Sequence, residues 1–366
     1  MYNISQNKNL IIKNNLTLCY FINIKYLTIF SMLIFIGYSE QLLSQQSGGG
    51  YAESYLFRNI GARPTAMAGA FTAIVNDPSA VFYNPAGVGF LTDQPMVTST
   101  ISLLGFGRTQ SSIAWGQQIY EDFGVGIGIN GLNSGTFQAR DIKGRPLGEV
   151  SDIQYAIYGA ASYRIDFMSM GATLKYFTNS LNGTPTFSNG FALDVGTKLD
   201  VMGLFSVGIA VQNISGMVFW NNLSKDREDV PYQVRAGVAM EFGLNEIAYE
   251  TRSTVTGEIE DVSIPPTRYV LIGLDAVLTQ FQRSPDFVLG VEAAAHEMIV
   301  FRGGISLYGD YLGEPQLFPM NYWGGGVSIR PEIANLPFNL NIDYTISQDH
   351  LSENRISHHI SLLFAF

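Results

Sequence analysis

From Val97 onward this chain alternates apolar and polar residues with a period of two, in one segment after another. Phe338, Leu340, Ile342, Tyr344 and Ile346 oppose Asn339, Asn341, Asp343, Thr345 and Ser347. Tyr232, Val234, Val238, Met240 and Phe242 oppose Gln233, Arg235 and Glu241, and Phe191, Leu193, Val195 and Leu199 oppose Asp194, Lys198 and Asp200. Successive side chains of a strand point to opposite faces, so each segment has one greasy and one wet side. A soluble sandwich alternates in the same way. Many strands of about ten residues favour instead a sheet tilted across a bilayer and closed on itself.

The connections support closure. Asp166-Phe167, Asp200 to Met202 and Gly243 to Asn245 read as short turns, while Leu132 to Asp152, Ile214 to Val230 and Thr254 to Thr267 read as long loops. Short turns on one rim and long loops on the other belong to an outer-membrane barrel. Parity read forward conflicts with parity read back from the C-terminus between Thr254 and Gly309, and an even strand number resolves it. The expected fold is all-β: a transmembrane antiparallel barrel of 14 strands spanning 97–366, with a small helical or irregular plug over 45–96. Aromatics near strand ends, Trp115, Tyr155, Tyr163, Tyr176, Phe177, Tyr269 and Trp323, are expected in interfacial girdles.

Residues 1–44 are expected to be a secretory signal. Lys25 precedes an apolar run, Tyr26 to Tyr38, too short for a bilayer span, and small and polar residues place cleavage between 39 and 47. A second apolar patch, Leu10 to Ile12 and Leu16 to Ile24, lengthens this leader. It carries the single cysteine, Cys19, so the mature chain is expected to lack disulfides, cysteine metal sites and a cysteine nucleophile. Glycines and amides break up Val201 to Trp220, which is not a membrane helix. At the other end Ile360, Leu362, Phe364 and Phe366 alternate to the last residue, the form of a closing strand. Phe364 and Phe366 are thus a candidate signal for the barrel-assembly machinery, with outer-membrane lipid and the bacterial outer membrane as the surroundings. The formal net charge of −10, with no Lys/Arg cluster, excludes nucleic acid.

Chemistry-bearing motifs are few. Gly126-Ile127-Gly128-Ile129-Asn130-Gly131 matches the dinucleotide-binding spacing, but a loop follows it where a helix should open. Gly124, Gly126 and Gly128 alternate with Val125, Ile127 and Ile129, and so read as a bare, lumen-facing strand face. His296, His350, His358 and His359 have no metal-ligand spacing. No nucleophile elbow is present. Glu292, Asp275 and Asp343 read as isolated inward carboxylates that wet a lumen. No enzyme activity, cofactor or metal is expected.

Before the barrel comes a compact run of small residues, Gly61-Ala62-Arg63-Pro64 through Gly69, followed by Asn76-Asp77-Pro78 and Asn84-Pro85-Ala86-Gly87. Asn-Asp-Pro caps a turn and Asn-Pro with a later Gly ends one, so this piece is expected to fold as a lumen plug. The run from Gly61 to Gly87 resembles the N-terminal signature of the PorV/PorQ-like outer-membrane proteins of Bacteroidota, relatives of the FadL-type fatty-acid transporters. That resemblance implies a 14-stranded plugged barrel and, for members close to PorV and PorQ, service to type IX protein secretion and surface attachment, with secretion components and secreted cargo as partners. Phe219 and Trp220 would then be loop anchors for partners, or else strand-end girdle residues. The alternative is a FadL-like conduit for hydrophobic molecules, which needs an apolar lumen pocket. A hydrolase would need a nucleophile-base pair, and the sequence offers none.

Overall fold

The computed structural model describes residues 52–366 except 121, 185, 202–203, 222–225, 246, 253–258, 265, 309–319, 332–337 and 350–351. The leader with its cleavage window, Cys19, Pro265 and His350 lie outside the described residues. In chain order the strands are β1 (Met96–Leu103), β2 (Thr109–Tyr120), β3 (Phe123–Arg140), β4 (Pro146–Ile165), β5 (Met168–Asn182), β6 (Phe187–Val201), β7 (Phe205–Trp220), β8 (Arg227–Asp229), β9 (Gln233–Gly243), β10 (Ile247–Arg252), β11 (Ile259–Ile264), β12 (Tyr269–Thr279), β13 (Asp286–His296), β14 (Ile299–Leu307), β15 (Met320–Ile329), β16 (Asn339–Asp349) and β17 (Ser352–Ala365). Each long strand pairs antiparallel with its sequence neighbours, β6 joins β7, and β1 joins β17 from Met96↔Ala365 to Leu103↔His358. The result is a closed antiparallel barrel of 14 strands.

Burial distinguishes this barrel from a sandwich. On β5 Leu174 is 62% exposed while its neighbour Lys175 is 2% exposed, and on β6 Phe191, Leu193 and Val195 are exposed while Asp194 and Lys198 are buried. A soluble protein in water would reverse these positions. The apolar face points out of the barrel, where only lipid makes it favourable, and the polar face points at the plug.

The parity conflict has a structural origin. β10 and β11 form a separate two-stranded sheet between β9 and β12 and belong to no barrel wall. That connection leaves from the rim where β1 begins and β17 ends, here the proximal rim, which also carries the β15–β16 connection after Ile329 but whose remaining turns are tight, such as Ile165–Met168 and His296–Ile299. The loop expected over Thr254 to Thr267 is therefore on the opposite rim from the one its length implied. Leu132 to Asp152 is mostly strand, since β3 and β4 run past their neighbours and turn at 141–145, and Ile214 to Val230 is largely the end of β7 followed by β8.

Two expected girdle aromatics turn inward instead. Phe177 is buried, because it adjoins the lipid-facing Tyr176 and strand neighbours face opposite ways. Tyr269 donates its hydroxyl proton to the lumenal Glu292 carboxylate at 2.6 Å. Tyr155 and Tyr163 are exposed on the outer surface. Phe364 and Phe366 both pack their rings against Phe338, with centroids 5.6 Å apart in each case.

Candidate functional site

Residues 60–91 fill the lumen as short helical turns, Ala62–Ala66, Ala80–Tyr83 and Pro85–Phe90, joined by tight loops. Almost all of them are buried, Asn76 being an exposed exception. The wall admits them through glycines. A Cβ on Gly124 would lie 2.3 Å from the Val88 carbonyl oxygen, one on Gly126 2.6 Å from Val81, and one on Gly128 2.6 Å from Phe82. The same holds around the barrel: Gly171 against Pro85, Gly208 against Thr72, Gly304 against Met67 and Gly324 against Thr65, all closer than 3 Å. Plug backbone thus touches wall backbone on many strands at once. Only the β3 glycines were legible as a bare face in the sequence, because three in alternation form a pattern and single glycines do not.

Polar side chains pin this plug. Arg63 donates from Nε to Glu292 at 2.8 Å and from Nη1 to Asp77 at 2.9 Å and Asn76 at 2.6 Å. Glu292 also accepts from Arg302 Nε at 2.6 Å, and Arg302 reaches Asp343 at 2.7 Å. On the adjoining wall Asp275 Oδ2 accepts the backbone N–H groups of Phe71 and Thr72 and the Thr72 hydroxyl, while Arg235 donates to the Gly69 carbonyl at 2.6 Å. Asn84 Nδ2 bridges the carbonyls of Thr72 and Thr197, and its Oδ1 accepts from Ala86 N–H before the Pro85 turn. The inward carboxylates Glu292, Asp275 and Asp343 therefore do more than wet the lumen. They neutralise buried arginines and satisfy plug N–H groups that would otherwise be stranded away from water. Among the plug-motif residues, Gly61, Ala62, Pro64, Gly69, Asp77, Pro78, Pro85 and Gly87 are buried against the wall or within the plug. Gly61 and Gly69 have φ of 95° and 93°, left-handed turns suited to glycine. Among the described residues no trio of His, Cys, Asp or Glu is placed to hold a metal ion.

Toward the distal rim the lumen becomes apolar. Tyr55 and Leu56, in the turn Ser54–Phe57, belong to one buried cluster with Tyr158, Phe177, Val218 and Val230, against which Leu132 and Trp220 pack. Phe82 meets Tyr158 edge-on at 4.9 Å. The Tyr55 hydroxyl and Trp220 indole N–H are buried here with no hydrogen-bond partner among the described residues. Phe219 and Trp220 end β7 and do not lie in a loop; as strand neighbours they split, Phe219 outward at 48% exposure and Trp220 onto the lumenal cluster. Below them the β6–β7 register shifts where Asn213 and Ser215 of β7 take φ of 58° and 51°; Asp194 accepts the Asn213 N–H there and lies 2.8 Å from the buried Lys175.

Glu53 enters the same region with a left-handed φ of 52° and accepts from the Ser188 hydroxyl at 3.4 Å. Burial raises its carboxyl from an ordinary 4.5 to about 7, opposed by the Ser188 hydrogen bond and reinforced by Asp152 and Glu228. A raised carboxyl favours the docked segment only while protonated, so this contribution is complete below about pH 4.5 and is lost as pH rises through about 7. A spin label on Ser54→Cys is expected to be immobile at pH 5.5 and mobile at pH 8.5, and Glu53→Gln should abolish the difference.

The fold and site define a class: a plugged, 14-stranded outer-membrane β-barrel. No protein-family model matches the sequence, and no curated protein does. Solved structures do match. A FadL homologue of Pseudomonas aeruginosa superposes with a TM-score of 0.53 at 11% identity, covering 87% of this chain and 99% of its own. The toluene transporter TodX of Pseudomonas putida gives 0.51 at 11% identity, over 84% and 97%, and the CymD monoaromatic hydrocarbon channel 0.50 at 13%, over 84% and 96%. The shared fold is FadL-like, and these neighbours are transporter and channel barrels. The narrower PorV/PorQ resemblance gains no support from these comparisons.

Proposed function

We propose that this barrel is a passive conduit for hydrophobic compounds across the outer membrane, in preference to the secretion-linked role that the Gly61–Gly87 run implies. The observation that carries the reading is the buried apolar cluster at the distal end of the lumen, where Tyr158, Phe177, Val218 and Trp220 of the wall pack on Tyr55, Leu56 and Phe82. Displacing Tyr55 and Leu56 from it would open an apolar site with a few convergent polar groups, the ordinary form of a site for a hydrophobic small molecule. The Tyr55 hydroxyl and Trp220 N–H, unpartnered among the described residues, offer hydrogen bonds to the polar end of such a molecule. The likeness in fold to a FadL homologue and to a toluene transporter agrees with this reading.

Uptake of a long-chain fatty acid and of a monoaromatic hydrocarbon, compared between a deletion strain and its complements, tests it. Deletion is expected to lower uptake of at least one compound several-fold, restored by the native gene and not by Tyr158→Arg. Unchanged uptake of both, with loss of surface-attached secreted proteins, would return the assignment to the secretion role.

A further inference from the structure

A second environment lies on the proximal side of the plug, away from the distal aromatic cluster. There a cavity of about 470 Å³ opens between Phe90 of the plug, strands β6, β7, β9 and β12, and the Asp166–Phe167 turn. Its floor is apolar: Ile74, Ala239 and Leu271 are all buried. Three of its four charged lining residues are acidic, Asp166, Asp200 and Glu241, beside the neutral Asn76 and Ser206. Lys198 also lines it, but its ammonium is turned to the plug, donating to the carbonyls of Ile74 at 3.1 Å and Val75 at 3.3 Å and lying 3.9 Å from Asp200. The Phe90 ring already serves as a cation acceptor, with Lys198 Nζ 4.9 Å and Arg164 Cζ 5.6 Å from its centroid. Lys198 is paired with Asp200, whereas the Glu241 carboxylate has no hydrogen-bond or ion-pair partner among the described residues.

We infer that this proximal cavity is a binding site for an organic cation, an ammonium head on an apolar body. The volume falls in the range of small-molecule sites, about 300–1,000 Å³. An ammonium would give Glu241 its missing charge-assisted hydrogen bond and lie beside aromatic rings that attract cations, while the apolar body covers Leu271 and Ile74. A carboxylate of the same shape would be repelled, and a neutral alcohol would leave Glu241 uncompensated. The net charge of −10 also enriches cations near the molecule. The inference stands whether or not the barrel conducts hydrophobic compounds, because it uses the other side of the plug.

The test uses three water-soluble molecules of similar shape, 2-phenylethylammonium, 3-phenylpropanol and 3-phenylpropionate, titrated calorimetrically into the full-length barrel in nonionic detergent. The ammonium is expected to bind at least tenfold more tightly than the other two. Glu241→Gln and Asp166→Asn should each erode that preference at least fivefold, and Asp141→Asn on the opposite rim should leave it unchanged. Heat-modified gel mobility reports that each variant is folded, and Asp166→Asn, in an exposed turn at φ 53° that asparagine tolerates, keeps the test open if Glu241→Gln misfolds. Repeating the titration in nanodiscs with and without phosphatidylethanolamine separates sources: loss of binding only with that lipid identifies its headgroup ammonium as the occupant, and unchanged binding identifies a free amine. Equal binding of the three molecules, or binding of none, would overturn the proposal.

Discussion

Gly304→Leu is expected to unseat the plug, while Gly303→Leu, one residue away, should leave the protein close to native. The two positions face opposite sides of β14. A Cβ on Gly304 would stand 2.2 Å from the Met67 carbonyl carbon, whereas one on Gly303 meets nothing within 4 Å. Overpacking a core ordinarily costs about 1–3 kcal/mol, relieved by side chains that shift. Here the obstacle is backbone held by strand pairing on one side and by the Arg235–Gly69 and Thr72–Asp275 hydrogen bonds on the other, so the cost should reach the top of that range or force the plug out. Protease cleavage within residues 60–91 and the temperature of heat-modified gel mobility measure it. Equal behaviour of the two variants would refute direct backbone seating.

The second large effect is expected from Glu292→Ala. That carboxylate, fully buried, receives Arg63 of the plug, Arg302 of the wall and the Tyr269 hydroxyl. Removing one member of a buried ion pair costs about 3–5 kcal/mol because the remaining charge is left uncompensated. Here the stranded charges are two guanidinium groups, with only Asp77 and Asp343 left to share. The native barrel in planar bilayers should show little open conductance, and Glu292→Ala should show frequent openings as the plug detaches on the Arg63 side. Adding Arg63→Met to that variant should recover part of the lost stability by removing one stranded cation. An additive or larger loss in the double variant would show that Arg63 and Glu292 do not act as a pair.

The barrel could be read from local pattern, and the reason is physical. A strand's side-chain period of two is imposed by its backbone, so Phe191 to Leu199 or Phe338 to Ser347 display their two faces in the one-dimensional string. Lipid outside and a filled lumen inside then follow from strand length and number. Turn residues work the same way: Asn84-Pro85 and Asn76-Asp77-Pro78 announce tight turns because their side chains and rings restrict their own backbone. What stayed hidden depends on contacts between distant segments. Nothing local marks Gly171, Gly208, Gly304 and Gly324 as seats for the plug, since a lone glycine in a strand is equally compatible with a bulge or a bend. Glu292, Asp275 and Asp343 looked like isolated inward carboxylates until folding brought Arg63, Arg302 and the Thr72 N–H to them across as many as 229 residues. β10 and β11 pair with each other and with no wall strand, a choice of partner that no local pattern records. Tyr55, Tyr158, Phe177 and Trp220 form an apolar cluster because the plug and three strands converge on one end of the lumen. Periodicity belongs to the backbone of each segment and is written locally; a seat, an ion-pair network or a pocket belongs to pairs of segments, and exists only once the barrel has closed around its plug.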